Sequence, residues 1–164
     1  MVIKKITRKN YFDIHAIIAR GTSDVRRYML PFGEVVYRPI SQLEFEEANA
    51  VMLSYIKDPF TKQYIFNMAE NNELDKANDA VNKIDANEIE KISDFPPEIN
   101  FAEMYQGMIY QAIHVVYLAI RDFTDDFKET DLFKVDGIRD FADEIMRISG
   151  NNKETQEDIA SFRK

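Results

Sequence analysis

Hydrophobic positions recur along most of this chain at helical spacing, and the breaks between them fall at Pro, Gly and Asn. Tyr11, Ile14, Ile17 and Ile18 predict a short helix over 10–20, with Gly21 as its stop. Between Val25 and Ile40 the character changes. Val35-Val36-Tyr37 favours strand, while Pro31-Phe32-Gly33 and Arg38-Pro39 read as turns, so a short hairpin or extended arm is expected over 25–40. Ser41-Gln42-Leu43-Glu44 has the form of a capping box and opens a helix predicted over 42–57, with Phe45, Ala48, Met52, Tyr55 and Ile56 on its apolar face. Asp58-Pro59 ends it, because a residue before proline is pushed out of the helical region.

A second helix is expected over 60–70, with Tyr64, Ile65 and Met68 on one side, broken at Asn71-Asn72. A polar helix follows over 73–92. Its thin stripe of Leu74, Ala77, Val81, Ile84, Ile89 and Ile92 changes phase near Asp85-Ala86-Asn87, and Phe95-Pro96-Pro97 forces a corner. The stretch 101–123 is apolar on most sides and predicts the buried central helix. Residues 125–134 read as a loop or a short helical turn. The final clear helix spans 137–149, with Asp136 as its expected cap, Ile138, Phe141, Ala142, Ile145 and Ile148 on its face, and Gly150 at the left-handed stop. The pattern gives a mainly α fold: a compact multi-helix domain over 1–150 carrying a short N-terminal β-hairpin or arm, then a polar tail over 151–164.

Composition narrows the chemistry. The 164 residues fit one domain, and 45% hydrophobic content with 12 Phe and 8 Tyr supplies a core without staples. The absence of Cys removes disulfides, thiolate nucleophiles and Cys-ligated zinc, and fits a reducing compartment. Met1-Val2-Ile3-Lys4-Lys5 leads into Arg8 and Lys9 with no apolar core of signal-peptide length, so secretion is not expected. The longest apolar stretch, Val115–Ile120, is far short of the ~20 residues needed to span a bilayer, so no membrane partner is expected. Net charge is −8, unevenly placed: residues 1–38 hold 8 Lys/Arg against 3 Asp/Glu, and residues 39–164 hold 13 against 26. A basic arm can contact nucleic acid, but so acidic a remainder repels a phosphate backbone. Docking on its own acidic body or on an acidic partner is the better account, and no nucleic-acid partner is expected.

No residue constellation points to catalysis, a metal or a cofactor. His114 lies on the apolar central helix and is better read as a hydrogen-bonded core histidine than as a ligand or base. Neither it nor His15 has a carboxylate three residues before it, as a di-iron bundle requires, since Gln111 and Phe12 stand there. The carboxylates Asp125, Asp126, Glu129, Asp131, Asp136, Asp140, Asp143 and Glu144 lack calcium-loop spacing and read as solvated faces and loop caps. Five unclustered glycines make no phosphate-binding loop, and the sequence holds no nucleophile elbow. The expectation is a protein that is not an enzyme.

Three segments carry a family resemblance. Val36-Tyr-Arg-Pro-Ile-Ser-Gln-Leu-Glu-Phe-Glu-Glu-Ala48 resembles the "Arg, apolar, Ser/Thr, x, x, Glu" lead-in to the first main helix of tail assembly chaperones of long-tailed phages and their archaeal relatives. Phe133 to Gly150, closing on Ile145-Met-Arg-Ile-Ser-Gly150, is similar to that family's last helix, and Tyr55-Ile-Lys-Asp-Pro59 looks like its Asp-Pro helix stop. The polar stretch 71–92 and the Phe95-Pro-Pro corner lie outside the resemblance. It implies a small, non-catalytic helical protein that coats the viral tape-measure protein in the host cytoplasm, helps recruit tail-tube protein and is absent from the finished particle. The family often makes a longer form by ribosomal frameshifting. Partner contact on this reading would fall to Ile138, Phe141 and Ile145, then Phe45 and Met52, in helix-in-groove style. The domain's own core competes for the same five side chains. A homo-oligomer is compatible with these faces. A structural virion component, such as a tail-completion or baseplate protein, and an acidic helical adaptor are the alternatives that the same composition serves.

Overall fold

The structure, a computed structural model, describes residues 25–88, 90, 95–124 and 128–150. It is mainly α with a two-stranded antiparallel hairpin, as the hydrophobic pattern predicts. The described elements are β1 (Arg26–Leu30), β2 (Gly33–Tyr37), α1 (Gln42–Ser54), α2 (Pro59–Glu70), α3 (Leu74–Asp85), α4 (Phe101–Ile120), a 3-10 helix (Glu129–Lys134) and α5 (Ile138–Ile148). The helix expected over 10–20 and the tail over 151–164 lie outside the described residues. The described chain divides into two units, one of residues 25–48 and 112–150 and the other of residues 49–111.

In the first unit the hairpin pairs Tyr28 with Val35 and Met29 with Glu34 around the Pro31-Phe32 turn. Strand side chains alternate between faces, so Tyr28, Leu30, Val35 and Tyr37 point one way and Arg27, Met29 and Glu34 the other. The first set packs inward. Tyr28 stacks on Phe141 of α5 with ring centroids 4.1 Å apart, and Tyr37 meets the same ring edge-on at 5.0 Å. The last two turns of α4, apart from Tyr117, are buried, as the apolar run predicted.

One expectation at this end is corrected. Asp136 does not cap α5: Gly137 stands at the N-cap with φ +80° and no side-chain cap bond. A left-handed backbone there excludes a side-chain cap of the usual extended geometry. Within the stretch expected as a loop or short helical turn, a 3-10 helix forms at Glu129–Lys134, with Asp131 Oδ2 accepting the Lys128 amide at 3.0 Å, while 125–127 lie outside the described residues. Gly150 is left-handed at φ +74°, as its position after α5 predicted.

The second unit is an apolar cluster fed by four helices: Met52 of α1, Ile65 and Met68 of α2, Ala77, Ala80 and Val81 of α3, and Met104 and Met108 of α4, joined by Ile56 just after α1 and by Ile99. Asp58-Pro59 both ends one helix and starts the next. Asp58 Oδ2 accepts from the Thr61 amide at 2.9 Å and Thr61 Oγ1 at 2.7 Å, with Pro59 in the first turn where its missing N–H costs nothing. Asn72 (φ +56°) and Asn87 (φ +56°) turn the chain left-handed after α2 and α3, so the expected phase change near 85–87 is the end of α3.

Candidate functional site

The five residues that the helical faces nominated for partner contact are all buried: Ile138, Phe141 and Ile145 on α5, Phe45 and Met52 on α1. Phe141 lies against Tyr28 and Tyr37 of its own unit, and Met52 belongs to the apolar cluster of the second unit. In this conformation none of the five offers a surface to a partner.

The buried Arg and Glu side chains lie in the first unit, while the second buries the uncharged Thr61 and Gln111. Arg38 is fully buried. Its Nη1 and Nη2 donate to the two oxygens of Glu44 at 3.0 and 2.8 Å, its Nε donates to Asp122 Oδ2 at 2.9 Å, and Nη1 also reaches the Pro39 carbonyl at 2.9 Å. Glu44 Oε1 accepts the Ser41 amide at 3.1 Å while Ser41 Oγ accepts the Glu44 amide at 3.2 Å, so the predicted capping box forms. Burial by itself would weaken the Arg38 charge. The hydrogen bond and charge of Glu44, then of Asp122, outweigh it and hold the guanidinium above its ordinary value. The Ile40 amide donates to Ser149 Oγ at 2.9 Å, tying the lead-in of α1 to the end of α5. These hydrogen bonds all join groups of the chain to one another, which gives the cluster a structural role.

His114 is buried and hydrogen-bonded, as expected for a core histidine. Its Nδ1 lies 2.7 Å from Glu129 Oε1 and its Nε2 lies 3.1 Å from Glu47 Oε1. An ionised carboxylate only accepts, so both contacts are hydrogen bonds together only when both ring nitrogens carry protons. The carboxylates face opposite nitrogens and do not converge on one point with the ring. Among the described residues no group of three His, Cys, Asp or Glu side chains is placed to hold a metal ion. No helix of the described residues is long and apolar enough to cross a membrane.

Large apolar side chains are exposed at Met29, Phe32, Leu43 and Phe133 of the first unit, and two aromatic ones share a helix, α2 of the second unit. Ile65 and Met68 bury one face, which leaves Phe60, Gln63, Phe66 and Asn67 in solvent, with Phe60 46% and Phe66 43% exposed. Phe60 and Phe66 flank Gln63 by three residues on either side, so the three occupy neighbouring positions on the helix surface. Gln63 Nε2 donates to Asn67 Oδ1 at 3.0 Å. Phe60 stacks on Tyr64 (6.4 Å), Tyr64 packs on Phe95 (5.8 Å), and Phe95 meets Phe101 edge-on (5.8 Å), an aromatic ladder that runs from solvent to the unit's core.

The backbone below the ladder is fixed. Thr61 Oγ1 accepts the Asn100 amide at 2.8 Å, and Glu103 Oε2 accepts the amides of Lys57 and Asp58 at 3.2 and 2.8 Å. Sequence periodicity placed Tyr64, Ile65 and Met68 on the inner side of α2. It passed over Phe60 and Phe66, because two aromatics on the opposite side carry no helical-period signal. The available signal was charge: only Lys62 and Glu70 are charged in α2, against Asp75, Lys76, Asp79, Lys83 and Asp85 in α3.

Comparison of this chain with protein-family models, with curated proteins and with solved structures finds no match.

Proposed function

We propose that this chain is a non-catalytic tail assembly chaperone, which binds the tape-measure protein and tail-tube subunits in the host cytoplasm and leaves before the particle is complete. The observation that carries the reading is the solvent face of α2. Aromatic residues enriched and charge depleted on an exposed helix face are the composition of a protein-binding core, with Lys62 and Glu70 the only charges on the helix. A soluble acidic protein with such a face suits the task of covering the apolar helices of a long partner until the tube encloses them.

The resembling segments add support. Arg38, Ser41 and Glu44 act as one hydrogen-bonded unit, and Ile40 of the first segment is bonded to Ser149 of the second. Those residues thus have a shared structural reason to occur in that order. They stabilise the fold, and the binding role falls to side chains outside them.

The test begins with the DNA on both sides of the gene. The expected finding is a very long helical reading frame downstream, with a slippery heptamer and overlapping frame near the 3′ end. Co-expression with the long product should then keep it soluble and co-purify it with this chain. Stoichiometric amounts of this chain in purified particles would instead make it a virion component and overturn the chaperone reading.

A further inference from the structure

We infer that the solvent face of α2, centred on Gln63 between Phe60 and Phe66, docks a basic amphipathic helix of a partner protein. The inference rests on the protein-binding role proposed above and names the chemistry of the partner segment.

Four features argue for this occupant. First, exposing two Phe side chains on one helix leaves apolar area unburied, and burial against a partner gains about 25 cal/mol per Å² of it. Second, the polar groups among them, Gln63 and Asn67, are uncharged and hydrogen-bonded to each other, so covering them strands no charge. Third, residues 49–111 hold 5 Lys against 11 Asp/Glu, a net of −6, so a segment approaching this unit meets a net negative field, with Lys62 and Glu70 the charges on α2 itself. A segment with Lys or Arg flanking its apolar stripe matches that field, an acidic one is repelled, and nucleic acid and anionic lipid surfaces are repelled with it. Fourth, the face is preorganised. Phe60 is braced through Tyr64 and Phe95, and the α2 N-terminus is pinned by Asp58, Thr61, Asn100 and Glu103, so little ordering remains to be done on binding. A helix suits the geometry because side chains three residues apart form a ridge that seats in the groove of a second helix.

The test uses the full chain and two labelled peptides of about 18 residues, long enough for helix formation. One has a Leu stripe with a Lys face, the other a Leu stripe with a Glu face, and binding is followed by fluorescence anisotropy. The Leu/Lys peptide should bind and the Leu/Glu peptide should not. Phe66→Gln should weaken the Leu/Lys peptide about tenfold, as for a central aromatic contact, and Phe60→Gln should do the same. Unchanged melting curves would show that both variants fold. Raising salt should weaken binding several-fold as the negative field is screened.

The proposal is overturned if the Leu/Lys peptide does not bind. It is also overturned if both folded variants bind it as the parent does, which leaves only diffuse charge attraction, or if the Leu/Glu peptide binds equally. A change in self-association of the Phe variants without peptide binding assigns the face to a second copy of the chain and likewise overturns it. Failure of the chaperone reading is separable. If the long downstream product co-purifies equally with the Phe variants, only the docking site is wrong. If the Leu/Lys peptide binds as described but no tape-measure protein co-purifies, the site stands and the chaperone role falls.

Discussion

The two units of this chain differ in whether they bury charged side chains. In the first, residues 25–48 and 112–150 bury the Arg38–Glu44 ion pair, with the partly exposed Asp122 beside it, and set the His114 ring between the carboxylates of Glu47 and Glu129. Two of its aromatic rings, Tyr28 and Tyr37, turn inward onto Phe141. In the second, residues 49–111 have a core cluster of apolar side chains, and a ladder of rings leads out of it to Phe60 in solvent. Burying an ion pair is a weak source of stability but a strong source of geometry, because a displaced partner leaves a charge without water or counter-charge. Exposing aromatic rings does nothing for stability and makes a surface that associates. The first unit is therefore held in one backbone geometry by a buried ion cluster, and the second by an apolar cluster from which an aromatic ladder leads outward.

Removing one member of the buried ion cluster breaks this contrast most severely. Glu44→Ala leaves Arg38 buried with only Asp122 opposite it and destroys the capping box, and should cost about 3–5 kcal/mol. Melting temperature should fall by roughly 10 °C. Replacing both partners, Arg38→Met with Glu44→Leu, should cost less than Glu44→Ala alone. If the double variant is the worse of the two, the cluster contributes packing rather than charge complementarity.

In the second unit the largest effect should come from close packing. A Cβ on Gly107 would stand 3.0 Å from the Met52 carbonyl oxygen and 3.1 Å from Ile56 Cγ1. Gly107→Ala gains helix propensity but has to push α1 and α4 apart, for a net loss of about 1–3 kcal/mol by chemical denaturation. A neutral or stabilising result would show that the two helices separate easily there.

A smaller effect, and one that depends on pH, belongs to the α2 cap. The hydrogen bond from the Thr61 hydroxyl, then that from its amide, hold the Asp58 carboxyl below its ordinary value of about 3.8. A depressed folded-state value means that the cap's stabilisation is complete above the unfolded carboxyl's titration and is lost as pH falls through the folded one. Asp58→Asn keeps a capping oxygen without the charge. The parent should be the more stable at neutral pH, and its advantage should vanish on acidification below pH ~3.8, measured as the difference in melting temperature. A difference that does not change with pH would mean that the charge contributes nothing.

The smallest change in stability is expected at the proposed face. Phe66→Gln should alter unfolding free energy by no more than about 0.5 kcal/mol, the usual range for a surface site. A loss of several kcal/mol would mean that Phe66 packs within the fold and presents no free surface, which would sharpen the contrast between the units in the other direction.

Much of the architecture was legible in the residues. Local rules placed the hairpin, because Val35-Val36-Tyr37 after Pro31-Phe32-Gly33 favours strands about a turn. They also placed the capping box at Ser41, the Asp58-Pro59 junction and the long α4, whose burial follows from its apolar run. The nominated contact residues Ile138, Phe141, Ile145, Phe45 and Met52 were found by the same periodicity that finds a core, and core is where they are. Periodicity reports which side of a helix is apolar. It does not report which apolar side chains remain uncovered after the elements pack.

The sequence by itself determined the local conformations of this protein, since caps, turns and helical stripes act over a few residues and are written contiguously. Only the tertiary structure decided that Arg38 meets Asp122, that His114 meets Glu47, that Ile40 is tied to Ser149, and that Phe60 and Phe66 stay in solvent while Phe141 does not. Those outcomes depend on groups far apart in the chain competing for the same buried space, and no short stretch of sequence holds both competitors.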